Sequence, residues 1–352
     1  MIKRRLDSGK IKRILIRSTN WVGDAMLTTP AVRAVRKNFP DARISILAKP
    51  WVTPIFYNNP YLDHIIQYDS TGKHGGWLGK IRLIRELRRG KFDIAVLFQN
   101  AFEAALLACL AGVPARLGYD TDCRRLFLTH PVHLEPRLKQ IHEIDYYLGI
   151  LEAASLKPDG RELTLVVTEQ ERGRAEDILK SHGITGQDKL IGINPGATYG
   201  SAKQWPVERY AALCNKIHDS GTQVIIFGGP GEEPTGRHIS ELVKKPCINL
   251  CGKTNLLEAV ALIERCRLFI TNDSGLMHVA AAFDIPLIAI FGSTNPVTTG
   301  PSNPRSRIVR VPIPCSPCLK PECPEDHRCM AEISIDMVYA VAEELLREDD
   351  GH

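Results

Sequence analysis

The stretch Thr271-Asn-Asp-Ser-Gly-Leu-Met-His278 concentrates side chains able to hold a charged substrate. The apolar run Leu268 to Ile270 precedes it, and Leu276 to Phe283 follows at helical spacing, which predicts a turn from buried strand to helix. Asp273 or Ser274 is placed to cap the helix, and Gly275 lets backbone approach a ligand. Free N–H groups at such a start, with the positive end of the helix dipole, make a site for phosphate. His278 falls about one turn in, on a face that reaches the mouth of the turn. A capped helix carrying one polar residue is the alternative reading.

A second loop has complementary chemistry. The apolar strand Leu190 to Ile193 ends in Asn194-Pro-Gly-Ala-Thr-Tyr-Gly-Ser-Ala-Lys-Gln-Trp-Pro206, a small-residue loop with one cation. Thr198 and Ser201 are able to donate to phosphate oxygens, and Lys203 to neutralise them. After the strand Val224 to Phe227, Gly228-Gly-Pro-Gly-Glu-Glu233 resembles a dinucleotide fingerprint, but Pro234 stands where its third glycine belongs. A phosphate-loop pattern ending Gly252-Lys-Thr254 fails because Cys247 occupies the leading glycine position. Both failures argue against an NAD oxidoreductase or an ATPase. What remains is a turn whose carboxylate, Glu232, suits a ribose or a base.

The first half carries a different kind of group. A strand from Ile11 to Ile16 leads into Arg17-Ser-Thr-Asn-Trp-Val-Gly-Asp24, and a helix is expected from about Ala25 to Phe39. Gly23 permits a sharp turn that leaves Asp24 at the helix start, as an N-cap, a general base, or both. Gln99 and Asn100 follow another strand, Ile94 to Phe98, at the same edge. Near the end, Cys315, Cys318, Cys323 and Cys329 lie close together beside His327, either as a structural Zn²⁺ site or as clustered free thiols. The other six of the ten cysteines are scattered through apolar stretches and read as small core residues.

These residues need rigid elements behind them. Helical stretches alternate with short apolar strands throughout, the pattern of an α/β chain with parallel sheets wrapped by helices. At 352 residues there is room for two domains, with a loosening at Pro158-Asp-Gly160 and a linker from there to about residue 175. The helix Ile333 to Leu346 and an acidic, frayed tail from Glu348 close the chain. A net charge of +5 is too mild to argue for nucleic acid. The basic residues are grouped, however: Lys3, Arg4 and Arg5 at the start, and Lys80, Arg82, Arg85, Arg88 and Arg89 on a helix with Trp77 and Leu78. They form either solvated faces or a docking surface for anionic lipid or a phosphorylated acceptor. No apolar run reaches the roughly 18 residues of a membrane span, and the basic start lacks a signal core, so a cytoplasmic protein with reduced cysteines is expected.

Asn20-Trp-Val-Gly-Asp24, Pro195-Gly-Ala with Ala202-Lys-Gln-Trp-Pro206, and Thr271 to His278 with its alanine run together resemble glycosyltransferase family 9, in order and over nearly the whole chain. The resemblance implies the GT-B plan, two Rossmann-like domains facing across a cleft. Residues 1–170 would bind acceptor, 171–332 the ADP-sugar, and 333–352 form the terminal helix and tail. It implies inverting transfer of L-glycero-D-manno-heptose from ADP-heptose to the first heptose of heptosyl-Kdo2-lipid A, at the inner face of the inner membrane. Asp24 would be the base and Lys203 the catalytic cation. Thr198, Ser201, Lys203, Glu232, Thr254, Asp273, Ser274, Gly275, Met277 and His278 would bind donor, and Asn20, Gly23, Gln99 and Asn100 acceptor. No cofactor is required for catalysis. Transfer to another core position, or a noncatalytic nucleotide-sugar-binding module, are the alternatives.

Overall fold

The computed structural model describes residues 9–186 and 188–350. They form two compact units that divide between Val166 and Val167. The clustered basic residues Lys3, Arg4 and Arg5, and the last two residues of the tail, lie outside the described residues.

The first unit holds a six-stranded sheet. Its strands are β1 (Arg13–Arg17), β2 (Arg43–Ala48), β3 (His64–Gln67), β4 (Ile94–Leu97), β5 (Ala115–Tyr119) and β6 (His130–Val132). Their order is β3-β2-β1-β4-β5-β6, and each neighbouring pair is parallel. The apolar centres of β1, β2 and β4 are buried on both faces, as a sheet covered by helices on both sides requires.

The second unit repeats the winding with β7 (Leu190–Asn194), β8 (Gln223–Ile226), β9 (Ile248–Asn249), β10 (Leu268–Asn272), β11 (Leu287–Ile290) and β12 (Ser306–Val309). Here the order is β12-β11-β10-β7-β8-β9, again parallel throughout. In each sheet the direction of winding reverses beside the first strand, at β1/β4 and at β7/β10. Loops at the carboxyl ends of such a strand pair diverge and leave room for a ligand.

The structure departs from the sequence reading at several elements. The helix expected from Ala25 begins at Val22, so Gly23 sits inside its first turn rather than in a sharp turn, and Asp24 is a first-turn residue. A second helix, Thr29–Asn38, follows. The short strands β6, β9 and β12 were not anticipated. Part of the expected linker is the helix Glu169–Ser181, opened by a capping box in which Thr168 and Glu171 each bond the other's backbone. Residues before it are fastened to the first unit, where Arg33 pairs with Asp159 at 3.2 Å and with Glu162 at 2.6 Å. The terminal helix runs Ile335–Asp350 and packs on the second unit's core. Its acidic end is held rather than frayed at Asp349, which takes Arg267 at 2.8 Å and Arg305 at 2.5 Å.

Candidate active site

The second unit gathers most of the expected donor residues at the β7/β10 reversal. Thr271 stands in register with Asn194, so the loops leaving the two strands start side by side. Asn272, fully buried, ties them together. Its side-chain oxygen accepts from the Trp205 N–H at 3.1 Å and from the Tyr210 hydroxyl at 3.0 Å, and its amide donates to the Pro195 carbonyl at 2.7 Å. This lock sets the next residue, Asp273, against Lys203 at 2.7 Å. The pair is 5% and 14% exposed, so it is well shielded and short enough to fix the ammonium in place. Ser274 caps the helix Gly275–Ala281 by accepting from the Met277 N–H. Met277 and His278 are both buried beneath that cap.

Glu232 enters the same edge from the turn after β8. It accepts from the Gly229 N–H at 2.7 Å, and burial raises its carboxyl above the ordinary range while that hydrogen bond works the other way. Gly196, in the loop after β7, lies so close that a β-carbon there would overlap the Glu232 carboxylate. Thr254 is half-buried just ahead of the Asn255 cap of the helix Leu256–Glu264. Thr198 and Ser201 are exposed on the loop surface.

The cysteine-rich segment buttresses that loop. The Pro321 carbonyl accepts from the Ala202 N–H at 3.0 Å, the Leu319 carbonyl from the Tyr199 hydroxyl at 3.2 Å, and a β-carbon at Gly200 would strike Pro321. Cys315, Cys318, Cys323 and Cys329 line one cavity of about 50 Å³, as free thiols. Burial chiefly raises the Cys329 thiol above its ordinary value, and the other three thiols add to the effect. Among the described residues, no three His, Cys, Asp or Glu side chains are set to hold a metal ion.

The first unit places Asp24 on the helix Val22–Leu27, partly exposed. Glu143, from the helix Glu143–Ala153, is close enough to feel it: burial first, and then the Asp24 charge, push the Glu143 carboxyl up to about 7. Asn20 accepts from Arg17 at 2.8 Å through its side chain and from the Trp51 indole at 2.9 Å through its carbonyl. The Gln99 carbonyl accepts from the fully buried Arg124, and the Asn100 side chain lies between Arg124 at 2.9 Å and the Tyr146 hydroxyl at 2.6 Å. Sequence reasoning missed Arg124, Glu143, Gly196 and Asn272. Two of them had a visible signal, Asn272 by its place inside the Thr271 to His278 stretch and Gly196 by its place in Pro195-Gly-Ala.

The family model described as glycosyltransferase family 9 (heptosyltransferase) matches residues 80–328. The chain belongs to glycosyltransferase family 9. It is 31% identical over 310 residues to lipopolysaccharide heptosyltransferase 2 of Salmonella typhimurium, covering 85% of this chain and 88% of that one. It is 32% identical over 312 residues to lipooligosaccharide heptosyltransferase 2 of Haemophilus influenzae, with the same coverage. Among solved structures, E. coli ADP-heptose LPS heptosyltransferase II superposes with a TM-score of 0.82 at 28% identity, covering 96% of this chain and 99% of that one. A family 9 glycosyltransferase from Veillonella parvula gives 0.87 at 29% identity, covering 98% and 99%. As a family 9 enzyme the chain therefore pairs two parallel α/β units, and its three signature stretches all lie at the carboxyl edges of β1, β7 and β10.

Proposed function

We propose that this chain transfers L-glycero-D-manno-heptose from ADP-heptose to the first heptose of heptosyl-Kdo2-lipid A, with inversion at the anomeric carbon. The observation that carries the reading is the locked Lys203 beside the capped helix start, at the strand reversal of the second unit. Cleaving the sugar–phosphate bond leaves negative charge on ADP. Lys203 and the backbone N–H groups after Ser274 counter it where it develops, and Thr198, Ser201 and Gly275 add contacts to the diphosphate. Asp273 holds Lys203 at 2.7 Å and, with His278, faces the heptose hydroxyls. Met277 supports this helix from the core, while Glu232 and Thr254 take the nucleoside.

Asp24 is the base. It takes the proton from the acceptor hydroxyl as that oxygen attacks the anomeric carbon, and Asn20, Gly23, Gln99 and Asn100 shape the surface that receives the acceptor. Lys203 and the helix dipole carry the phosphate charge, so the chemistry needs no metal. The acceptor is membrane-borne, and the helix Gly76–Arg89 suits contact with an anionic surface of the inner membrane. It exposes Trp77 at 72% and Leu78 at 65% next to Lys80, Arg82 and Arg85. Among the described residues no helix is long and apolar enough to cross a membrane.

The deciding experiment supplies ADP-heptose with either Kdo2-lipid A or its monoheptosylated form. Transfer to the second is expected, and transfer only to the first defeats the assignment. Asp24→Ala is expected to keep donor binding and lose turnover by about 10²-fold or more. Lys203→Ala is expected to weaken donor affinity and rate together.

A further inference from the structure

At the carboxyl ends of β1, β2 and β3 two cations are buried side by side. Arg17, the last residue of β1, is 4% exposed, and Lys49, just after β2, is 8% exposed. Neither has an ion-pair partner among the described residues. The charge of Glu103 acts on both, but its carboxylate is bonded by Lys80 at 2.6 Å and by the Tyr68 hydroxyl at 3.0 Å. The Lys49 ammonium rests on neutral groups, the Ser70 hydroxyl at 2.5 Å and the face of Tyr68 at 3.9 Å from the ring centre. The Arg17 guanidinium donates to the Ser18 and Leu47 carbonyls and to Asn20, which leaves its Nε buried without a partner. The adjoining Ser18 and Thr19 hydroxyls are likewise buried and unpartnered.

Burying like charges together is costly unless an anion joins them. The cost shows in both groups: burial brings Arg17 down to about 10 and burial and then Arg17 lower Lys49, and the charge of Glu103 offsets this only in part. Two cations, an orphaned guanidinium N–H and two free hydroxyls make a donor set for an oxyanion. The neighbouring indoles of Trp21 and Trp51, 56% and 50% exposed, offer flat faces of the kind sugar rings pack on. The site shares a strand end with the short loop that leads to the helix of Asp24.

We propose that Arg17 and Lys49, with Ser18 and Thr19, form a subsite that binds an oxyanion of the acceptor and so helps select it. The proposal rests on the heptosyl-transfer reading above and names the recognition element on the acceptor side of that reaction. Two sources of the oxyanion exist on an acceptor of this class, the carboxylate of an acidic core sugar and the phosphates of its lipid anchor. The carboxylate is expected, because Arg17 and Asp24 flank one short loop and the acidic sugar adjoins the heptose that Asp24 activates.

The test compares wild type, Lys49→Met and Lys49→Arg on three acceptors: intact, with sugar carboxylates methyl-esterified, and with lipid phosphates removed. Lys49→Met, which keeps the aliphatic stem, is expected to raise acceptor KM by about 10- to 100-fold while donor KM stays within about threefold. Lys49→Arg is expected to recover most of the loss. Esterification should cost wild type a similar factor and leave Lys49→Met unaffected. If dephosphorylation reproduces that pattern instead, the subsite stands and its ligand is a phosphate. Wild-type transfer with an unchanged acceptor KM for a folded Lys49→Met removes the subsite alone. A wild type that transfers heptose to none of the acceptors defeats the transfer reading, and this proposal with it.

Discussion

Burying Glu143 beside Asp24 has a measurable effect on stability. Burial is the chief cause that lifts the Glu143 carboxyl to about 7 from 4.5, the Asp24 charge adds to it, and the Tyr147 hydrogen bond opposes it. The folded chain keeps this proton to near pH 7, whereas the unfolded chain releases it near 4.5. Stability therefore falls as pH rises between those values and levels off above them. A difference of this size amounts to about 3 kcal/mol in full, with roughly 2.5 kcal/mol lost between pH 5 and 8. Glu143→Gln keeps the shape and removes the titration. The variant is expected to exceed wild type by about 3 kcal/mol at pH 8 and by under about 1 kcal/mol at pH 5. Urea unfolding followed by far-ultraviolet circular dichroism reads the difference, because Trp21, Trp51 and Trp77 of the first unit are already exposed and the buried Trp205 reports on the second. Titrating groups that do not interact with Glu143 cancel when the two proteins are subtracted. Stability curves that run parallel from pH 5 to pH 8 would refute the argument that burial raises this carboxyl.

Two further substitutions probe the second unit. In Gly196→Ala the added methyl must displace the Glu232 carboxylate from the Gly229 N–H. Donor KM is expected to rise about tenfold, the scale of one charged hydrogen bond, with thermal stability nearly unchanged because the displaced acid can swing toward solvent. Calorimetric titration with ADP checks this, and unaltered ADP affinity removes Glu232 from the nucleoside site. Asn272→Ala leaves the buried Trp205 N–H and Tyr210 hydroxyl without their acceptor and the Pro195 carbonyl without its donor. A loss of about 3–5 kcal/mol is expected, read from the unfolding signal of Trp205. A loss below about 1 kcal/mol would mean that the two loops are held by something else.

What could be read from the sequence was whatever the chain states locally. Buried strands such as Ile191 to Ile193 and Phe269 to Ile270 are continuous apolar runs, and polar residues that break such runs mark the carboxyl edge where Asp24, Lys203 and Ser274 were expected and are found. The short edge strands were not legible. β9 has only two residues and β6 includes a proline, so neither presents a pattern against the background of loops. Thr168 and Glu171 do carry a signal, the spacing of a capping box, but the preceding proline and glycine carry the competing signal of a linker.

The tail and the site were hidden for a different reason. Asp349 looks like part of a solvated acidic end until the fold brings Arg267 and Arg305 to it across 82 and 44 residues. Lys203 and Asp273 are 70 residues apart, and Arg124 reaches Gln99 across 25. Sequence spacing carries no information about such pairs, because they form only when the fold brings distant elements together. The same holds with more force for Arg17 and Lys49. Each alone reads as a residue at a strand end, and their meaning lies in being buried together while Glu103, whose charge acts on both, is bonded to Lys80. Chemistry that one loop performs is thus visible in a sequence, whereas chemistry that depends on which loops meet becomes visible only with strand order. A subsite made of two like charges is the extreme case, since nothing in either segment anticipates the other.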